Sequence, residues 1–167
     1  MKLCIVSDSH DRADLLLRAV RAAIAEGART VIHCGDIISA DTLRSLQTVA
    51  VTVHAVHGNN LGNPADLIAL ANEPGSRIHY YGEEAQLQIG DRKIFVTHYP
   101  DRAESRAAAG GCDIVCCGHS HHAEIRTIDN SPGSTLLINP GTVAGIRAAP
   151  TYAVGDLRTL EFSIRPL

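Results

Sequence analysis

The chain contains five cysteines, Cys4, Cys34, Cys112, Cys116 and Cys117, yet no CxxC pair. An odd count without that spacing argues against a disulfide framework and against a thiolate zinc finger. It fits reduced, mostly buried thiols and a cytoplasmic setting. Long apolar runs are missing too. The first one, Leu3 to Val6, is too short for a secretory signal, and no stretch approaches the roughly 20 residues of a membrane span. A basic excess is also absent: 15 Lys and Arg stand against 18 Asp and Glu, a net charge of −3. Polymeric nucleic acid and anionic membranes therefore meet no broad positive surface. No repeat, low-complexity tract or long linker divides the 167 residues, which read as one domain over residues 1–167.

Short runs rich in Val and Ile alternate with helical patterns, which predicts a mixed α/β fold. Strands are expected at Leu3–Ser7, Thr30–Cys34 and Val51–Val56. Helices are expected at Ala13–Glu26, where Leu16, Ala19, Val20, Ala23 and Ile24 share a face before Gly27, and at Ala40–Leu46. Further on, Ala85–Ile89 and Lys93–Thr97 flank the turn residues Gly90-Asp91. A short helix at Ala103–Ala109, a buried strand at Asp113–Cys117 and antiparallel strands at Glu124–Ile128, Thr135–Ile138, Tyr152–Asp156 and Leu160–Ile164 follow. Leu61 to Glu73 reads as a loop. Parallel strands first and antiparallel strands later suggest two mixed sheets packed face to face, with helices outside.

Five apolar runs each end in metal-capable side chains. LCIVS leads to Asp8 and His10, VIHCG to Asp36, VHAVHG to Asn59, KIFVT to His98 and DIVCCG to His119 and His121. In an open α/β sheet the carboxyl ends of strands are where ligands bind. Within Asp8-Ser9-His10 and His119-Ser120-His121 the two ligands are two residues apart, so extended backbone would aim both to one side. Gly35, Gly58 and Gly118 stand beside them, where the backbone must turn or approach something closely. Carboxylates, imidazoles and one amide oxygen together suit Mn²⁺, Fe²⁺, Zn²⁺ or Ni²⁺ better than Ca²⁺. Taken singly, each pair is a common loop feature; five in this order on strand ends are not a coincidence of composition. His33 and His54 lie inside strands and read as packed, and His79 and His122 receive no role.

The set D8-S-H10, G35-D36, G58-N59-N60, H98 and G118-H119-S-H121, with N139-P-G-T after it, resembles the calcineurin-like metallophosphoesterases, in particular their small bacterial and archaeal phosphodiesterase branch. The resemblance covers residues 3 to about 145. It implies an αββα sandwich and two divalent ions, Mn²⁺ foremost, with Fe²⁺, Ni²⁺ or Zn²⁺ as alternatives. Asp8, His10, Asp36 and His121 would hold one ion. Asp36, Asn59, His98 and His119 would hold the other, with Asp36 bridging and orienting a hydroxide that attacks phosphorus. Many relatives carry a general-acid His and then an acidic residue where this chain has Asn60 and Leu61. Asn60 cannot supply a proton in the same way, which disfavours monoesters with poor leaving groups. Tyr99-Pro100 likewise replaces a frequent Gly-His. Asn59, Asn60 and His57 are the candidate substrate contacts. The implied activity is hydrolysis of a small phosphate ester. The alternatives are a protein-binding scaffold of the same fold, like the retromer subunit, or a metal-dependent nuclease. Self-association into a homo-oligomer is left open.

Overall fold

The computed structural model describes every residue except 132. Among the described residues, eleven strands form two sheets. The first is built from β1 (Lys2–Val6), β2 (Ala28–His33), β3 (Thr52–Ala55), β4 (Ile78–Tyr80), β10 (Thr151–Asp156) and β11 (Glu161–Pro166), in the order β11-β10-β1-β2-β3-β4. Its β1 to β4 run parallel, while β10 pairs antiparallel with both β1 and β11. The second sheet holds β5 (Glu84–Ile89), β6 (Arg92–Thr97), β7 (Ile114–Cys116), β8 (Ala123–Asp129) and β9 (Ser134–Pro140), in the order β5-β6-β7-β9-β8. There β6, β7 and β9 are parallel, and the outer strands pair antiparallel.

Strand alternation builds the layers. On β1, Leu3 and Ile5 point between the sheets and join Ile32, Val56, Ile94, Ile114 and Ile138. Cys4 and Val6 point outward, towards α1 (Ala13–Ala25), α2 (Ala40–Arg44) and α3 (Pro64–Ala71), meeting Leu16, Val20, Leu43, Leu67 and Leu70. Because both faces are covered, the strand reads as a continuous apolar run. On the far side α4 (Pro100–Ala109) lays Ala103 and Ala107 over Phe95, Val115 and Leu137. Two sheets between two helical layers are the expected αββα sandwich. Among the described residues, no helix is long and apolar enough to cross a membrane.

Three expectations need correction. The segment Leu61 to Glu73 is not a loop but contains α3. Asn63 accepts from the Ala65 N–H at 3.1 Å, Pro64 occupies the first turn, and Leu67 and Leu70 are buried. The edge strand β4 was not anticipated; it is only three residues long and pairs with β3. Helix α4 starts at Pro100 rather than Ala103, since proline at the first helical position loses no hydrogen bond.

Candidate metal centre

All seven predicted ligands stand just past the carboxyl end of a strand: Asp8 and His10 after β1, Asp36 after β2, Asn59 after β3, His98 after β6, and His119 and His121 after β7. The first sheet thus contributes both carboxylates, and the second sheet contributes three of the four imidazoles.

The backbone there is not extended. Asp8 (φ 53°), His10 (φ 41°), Asp36 (φ 54°), His119 (φ 68°) and His121 (φ 59°) are all left-handed. Each such residue costs on the order of 1–3 kcal/mol, and this strain concentrates at functional sites. The shared direction of Asp8 and His10, and of His119 and His121, therefore comes from paired tight turns and not from strand alternation. Gly58 and Gly118 make these turns fit. A Cβ on Gly58 would collide with Asp36 Oδ1 and with the His98 ring, and one on Gly118 would collide with Ser7 Oγ and Asp8 Oδ2.

Two groups of ligand atoms result. Asp8, His10 and His121 offer atoms within 4.8 Å of one another, as do Asp8, Asp36 and His98. His121 Nε2 lies 3.1 Å from Asp8 Oδ1, and His10 Nε2 lies 3.6 Å from Asp36 Oδ2. His98 Nε2 is 3.3 Å from Asp36 Oδ1 and 3.2 Å from Asn59 Oδ1, which in turn is 2.8 Å from His119 Nδ1. Asn59 and His119 therefore join the second group through the amide oxygen.

The donor chemistry of these atoms fits a cation. A backbone carbonyl only accepts, so His98 Nδ1–H must donate to Cys34 O at 2.8 Å and His121 Nδ1–H to Ile146 O at 2.8 Å. With Nδ1 so committed, each Nε2 is the ring nitrogen left to face a carboxylate oxygen. A cation fits between such atoms, and a carbonyl partner on the other nitrogen is how proteins orient ligating imidazoles. Asp8 Oδ1 and His10 Nε2 are buried without any hydrogen-bond partner. A buried polar atom left unpaired is costly, and an ion would satisfy both.

Burial raises the Asp8 carboxyl above the ordinary carboxylate range. Burial also pushes on Asp36, but two hydrogen bonds from Asn60, with help from His98 and His10, outweigh it and hold that carboxyl low. Burial likewise lowers His98, keeping it a neutral ligand.

Asn60 is spent on Asp36: its backbone N–H reaches Oδ1 at 2.8 Å and its side-chain amide reaches Oδ2 at 2.6 Å. His57 turns away to the hydroxyl of Tyr80 on β4. Several residues support the centre in ways the sequence did not reveal. Asp11 accepts from Ser39 N, Ser39 Oγ and Thr42 Oγ1 at 2.9, 2.7 and 2.8 Å, fastening the β1 loop to α2. Asn139, only 3% exposed, donates to Gly118 O and Ser120 Oγ, so the N139-P-G-T stretch supports the turn that bears His119 and His121. Cys116 and Cys117 are buried free thiols, and among the described residues no cysteine joins either group of ligand atoms. His122 is exposed.

Comparison with known proteins agrees with this geometry. The model of the calcineurin-like phosphoesterase superfamily domain matches residues 1–160. Phosphodiesterase MJ0936 of Methanocaldococcus jannaschii is 28% identical over 97% of this chain and 96% of its own. The solved structure of an archaeal phosphodiesterase superposes with a TM-score of 0.90 at 28% identity, covering 100% of both chains. Wild-type Vps29 from Entamoeba histolytica, in complex with zinc, shares the fold with a TM-score of 0.65 at 19% identity, over 98% of this chain and 90% of its own. The family model spans nearly the whole chain and every strand end that bears a ligand, and this protein belongs to the calcineurin-like phosphoesterase superfamily.

Proposed function

We propose that the protein is a dinuclear phosphoesterase acting on small phosphodiesters. Asp8, His10, Asp36 and His121 would hold one divalent ion and Asp36, Asn59, His98 and His119 the other, with Asp36 shared and Mn²⁺ the first candidate among Mn²⁺, Fe²⁺, Ni²⁺ and Zn²⁺. The observation that carries this reading is the pair of imidazole Nε2 atoms, on His98 and His121, each aimed at a carboxylate oxygen beside partnerless buried polar atoms of Asp8 and His10. When bound, such ions activate water and stabilise charge on the phosphoryl oxygens.

The chain's own groups define the rest. Asp8 and Asp36 return two negative charges to a pair of ions carrying four positive ones. The centre keeps net positive charge in an acidic chain and attracts a phosphate ester. His98 and Asp8 are fully buried, whereas Asn59 and His119 are exposed, so substrate approaches over the Asn59–His119 side. Asn60 offers no proton to a departing alkoxide, since an amide is no general acid and its backbone N–H and side-chain amide both bond Asp36. Esters with good leaving groups should therefore react best. The complete donor set speaks against a purely structural scaffold, and the acidic charge against a nuclease of long polymers. Free thiols and the absence of a basic surface fit a cytoplasmic enzyme.

The test is turnover of bis(p-nitrophenyl) phosphate, p-nitrophenyl phosphate and an alkyl monoester by metal-stripped protein reloaded with each of the four ions. Activated diester hydrolysis with little alkyl monoester hydrolysis is expected. Two ions bound per chain without turnover of any ester would overturn the enzymatic reading.

A further inference from the structure

His33 is completely buried at the end of β2, three residues before Asp36 and outside the ligand set. Its two ring nitrogens reach two different ligand loops. The Gly35 backbone N–H donates to Nδ1 at 3.2 Å. A backbone N–H can only donate, so Nδ1 carries the lone pair and the proton sits on Nε2, which donates to Ser9 Oγ at 2.9 Å. Ser9 stands between Asp8 and His10, and Gly35 immediately precedes Asp36.

These are the loops whose ligands are held left-handed, and the backbone knits them together. Cys34 N–H bonds Val6 O at 2.8 Å, Asp8 N–H bonds Gly35 O at 3.0 Å, His10 N–H bonds Asp36 O at 3.0 Å and Asp11 N–H bonds Ile37 O at 3.2 Å. Along this seam the His33 side chain bonds both strands' loops at once. The left-handed conformations at Asp8, His10 and Asp36 persist only if their surroundings over-determine them. A rigid ring with two fixed, oppositely directed hydrogen bonds supplies such a constraint at small entropic cost.

We infer that His33 is a positioning residue that locks the β1 and β2 ligand loops into the geometry required for metal binding. It touches neither the ions nor the substrate. The neutral ring this needs agrees with its surroundings, since burial, aided by neighbouring His98, pushes His33 down to about 3. The inference rests on the metal-centre reading above, and it fixes the role of a histidine that composition alone marks as packing.

Three variants separate the two hydrogen bonds. The Gln amide nitrogen overlays imidazole Nε2, so His33→Gln keeps the Ser9 bond. The Asn oxygen overlays Nδ1, so His33→Asn keeps the Gly35 bond. His33→Leu keeps neither. Residues that support metal ligands typically govern about 10–100-fold in metal affinity. Mn²⁺ affinity by calorimetry should fall by that much in His33→Leu and by several-fold less in His33→Gln and His33→Asn. In metal-free protein, amide hydrogen exchange should quicken together at residues 8–11 and 35–37 in His33→Leu, with protection partly restored in the other two. Exchange that quickens throughout the chain, or Mn²⁺ affinity equal in all four proteins, would overturn the positioning role. If the natural protein fails to bind Mn²⁺, the metal-centre reading falls. The exchange pattern in metal-free protein still decides whether His33 joins the two loops: concerted local loosening supports it, and unchanged loops refute it.

Discussion

The two halves of the centre, one from each sheet, are prepared differently. The half from the first sheet bears Asp8, His10, Asp36 and Asn59. Its loops are tied directly to each other, by the backbone seam, by Asp11 on Ser39 and Thr42, and by the two Asn60 bonds on Asp36. In the half from the second sheet, His98 and His121 are each set by one carbonyl, of Cys34 and Ile146, while Asn139 steadies the turn. One half therefore holds both carboxylates in loops tied to each other, and the other holds three rings, two of them oriented by carbonyls. Charge concentrated on one side makes that side the one that bound cations would stabilise most.

The sharpest way to break this asymmetry is at Asp36, which the proposed assignment shares between the two ions. Asp36→Ala should remove both ions and lower kcat/KM by at least roughly 10³-fold, because more than one electrostatic stabiliser is lost. His10→Ala and His119→Ala should each retain one ion. Elemental analysis after Mn²⁺ loading reads the three stoichiometries, and equal loss in all three would dissolve the distinction between two subsites.

Chelation comes next in size. Ions at a hundredfold excess over Kd stabilise the folded chain by about 2.7 kcal/mol each. For a domain of this size that is roughly 5–11 °C in melting temperature per ion. Metal-free protein leaves Asp8 and Asp36 close together in a buried pocket, so Asp8→Asn should raise the melting temperature of the chelated protein and shrink the chelator effect. Should Asp8→Asn melt lower than the natural chain even with chelator present, the charge argument is wrong.

The same asymmetry explains what could be read in advance. The ligands were legible because apolar runs of four to six residues ended abruptly in Asp, Asn or His, and a strand end leaves few other places for such side chains. The layers were legible because Val and Ile runs alternate with helical spacing. Helix α3 was missed since it is eight residues long and exposes Ile68, which blurs its apolar face; its signals were Asn63 and Pro64. Strand β4 gave three residues and no period. The left-handed turns were hidden because Asp and His tolerate that conformation without the glycine that would advertise it. The contacts of Asn60 with Asp36 and of His33 with Ser9 join loops 24 residues apart, and they depend on register between neighbouring strands.

The smallest expected effect is the most discriminating. Asn60→Ala keeps the backbone bond to Asp36 Oδ1 but deletes the amide that reaches Oδ2 at 2.6 Å. Asp36 would then be aimed less tightly, and its carboxyl would lose a hydrogen bond that holds it low. Mn²⁺ affinity should fall by about tenfold, at the lower end of what residues behind a ligand contribute. With Mn²⁺ saturating, the ratio of kcat/KM for an activated diester to that for an alkyl monoester should not move, since Asn60 gives nothing to the leaving group. A residue that did assist departure would act selectively, because general-acid help of about 10²–10⁴-fold goes mainly to poor leaving groups. Affinity therefore reports on the first-sheet half, and the substrate ratio reports on the leaving-group side. A changed ratio with unchanged affinity would place Asn60 on the substrate and remove it from the frame around Asp36.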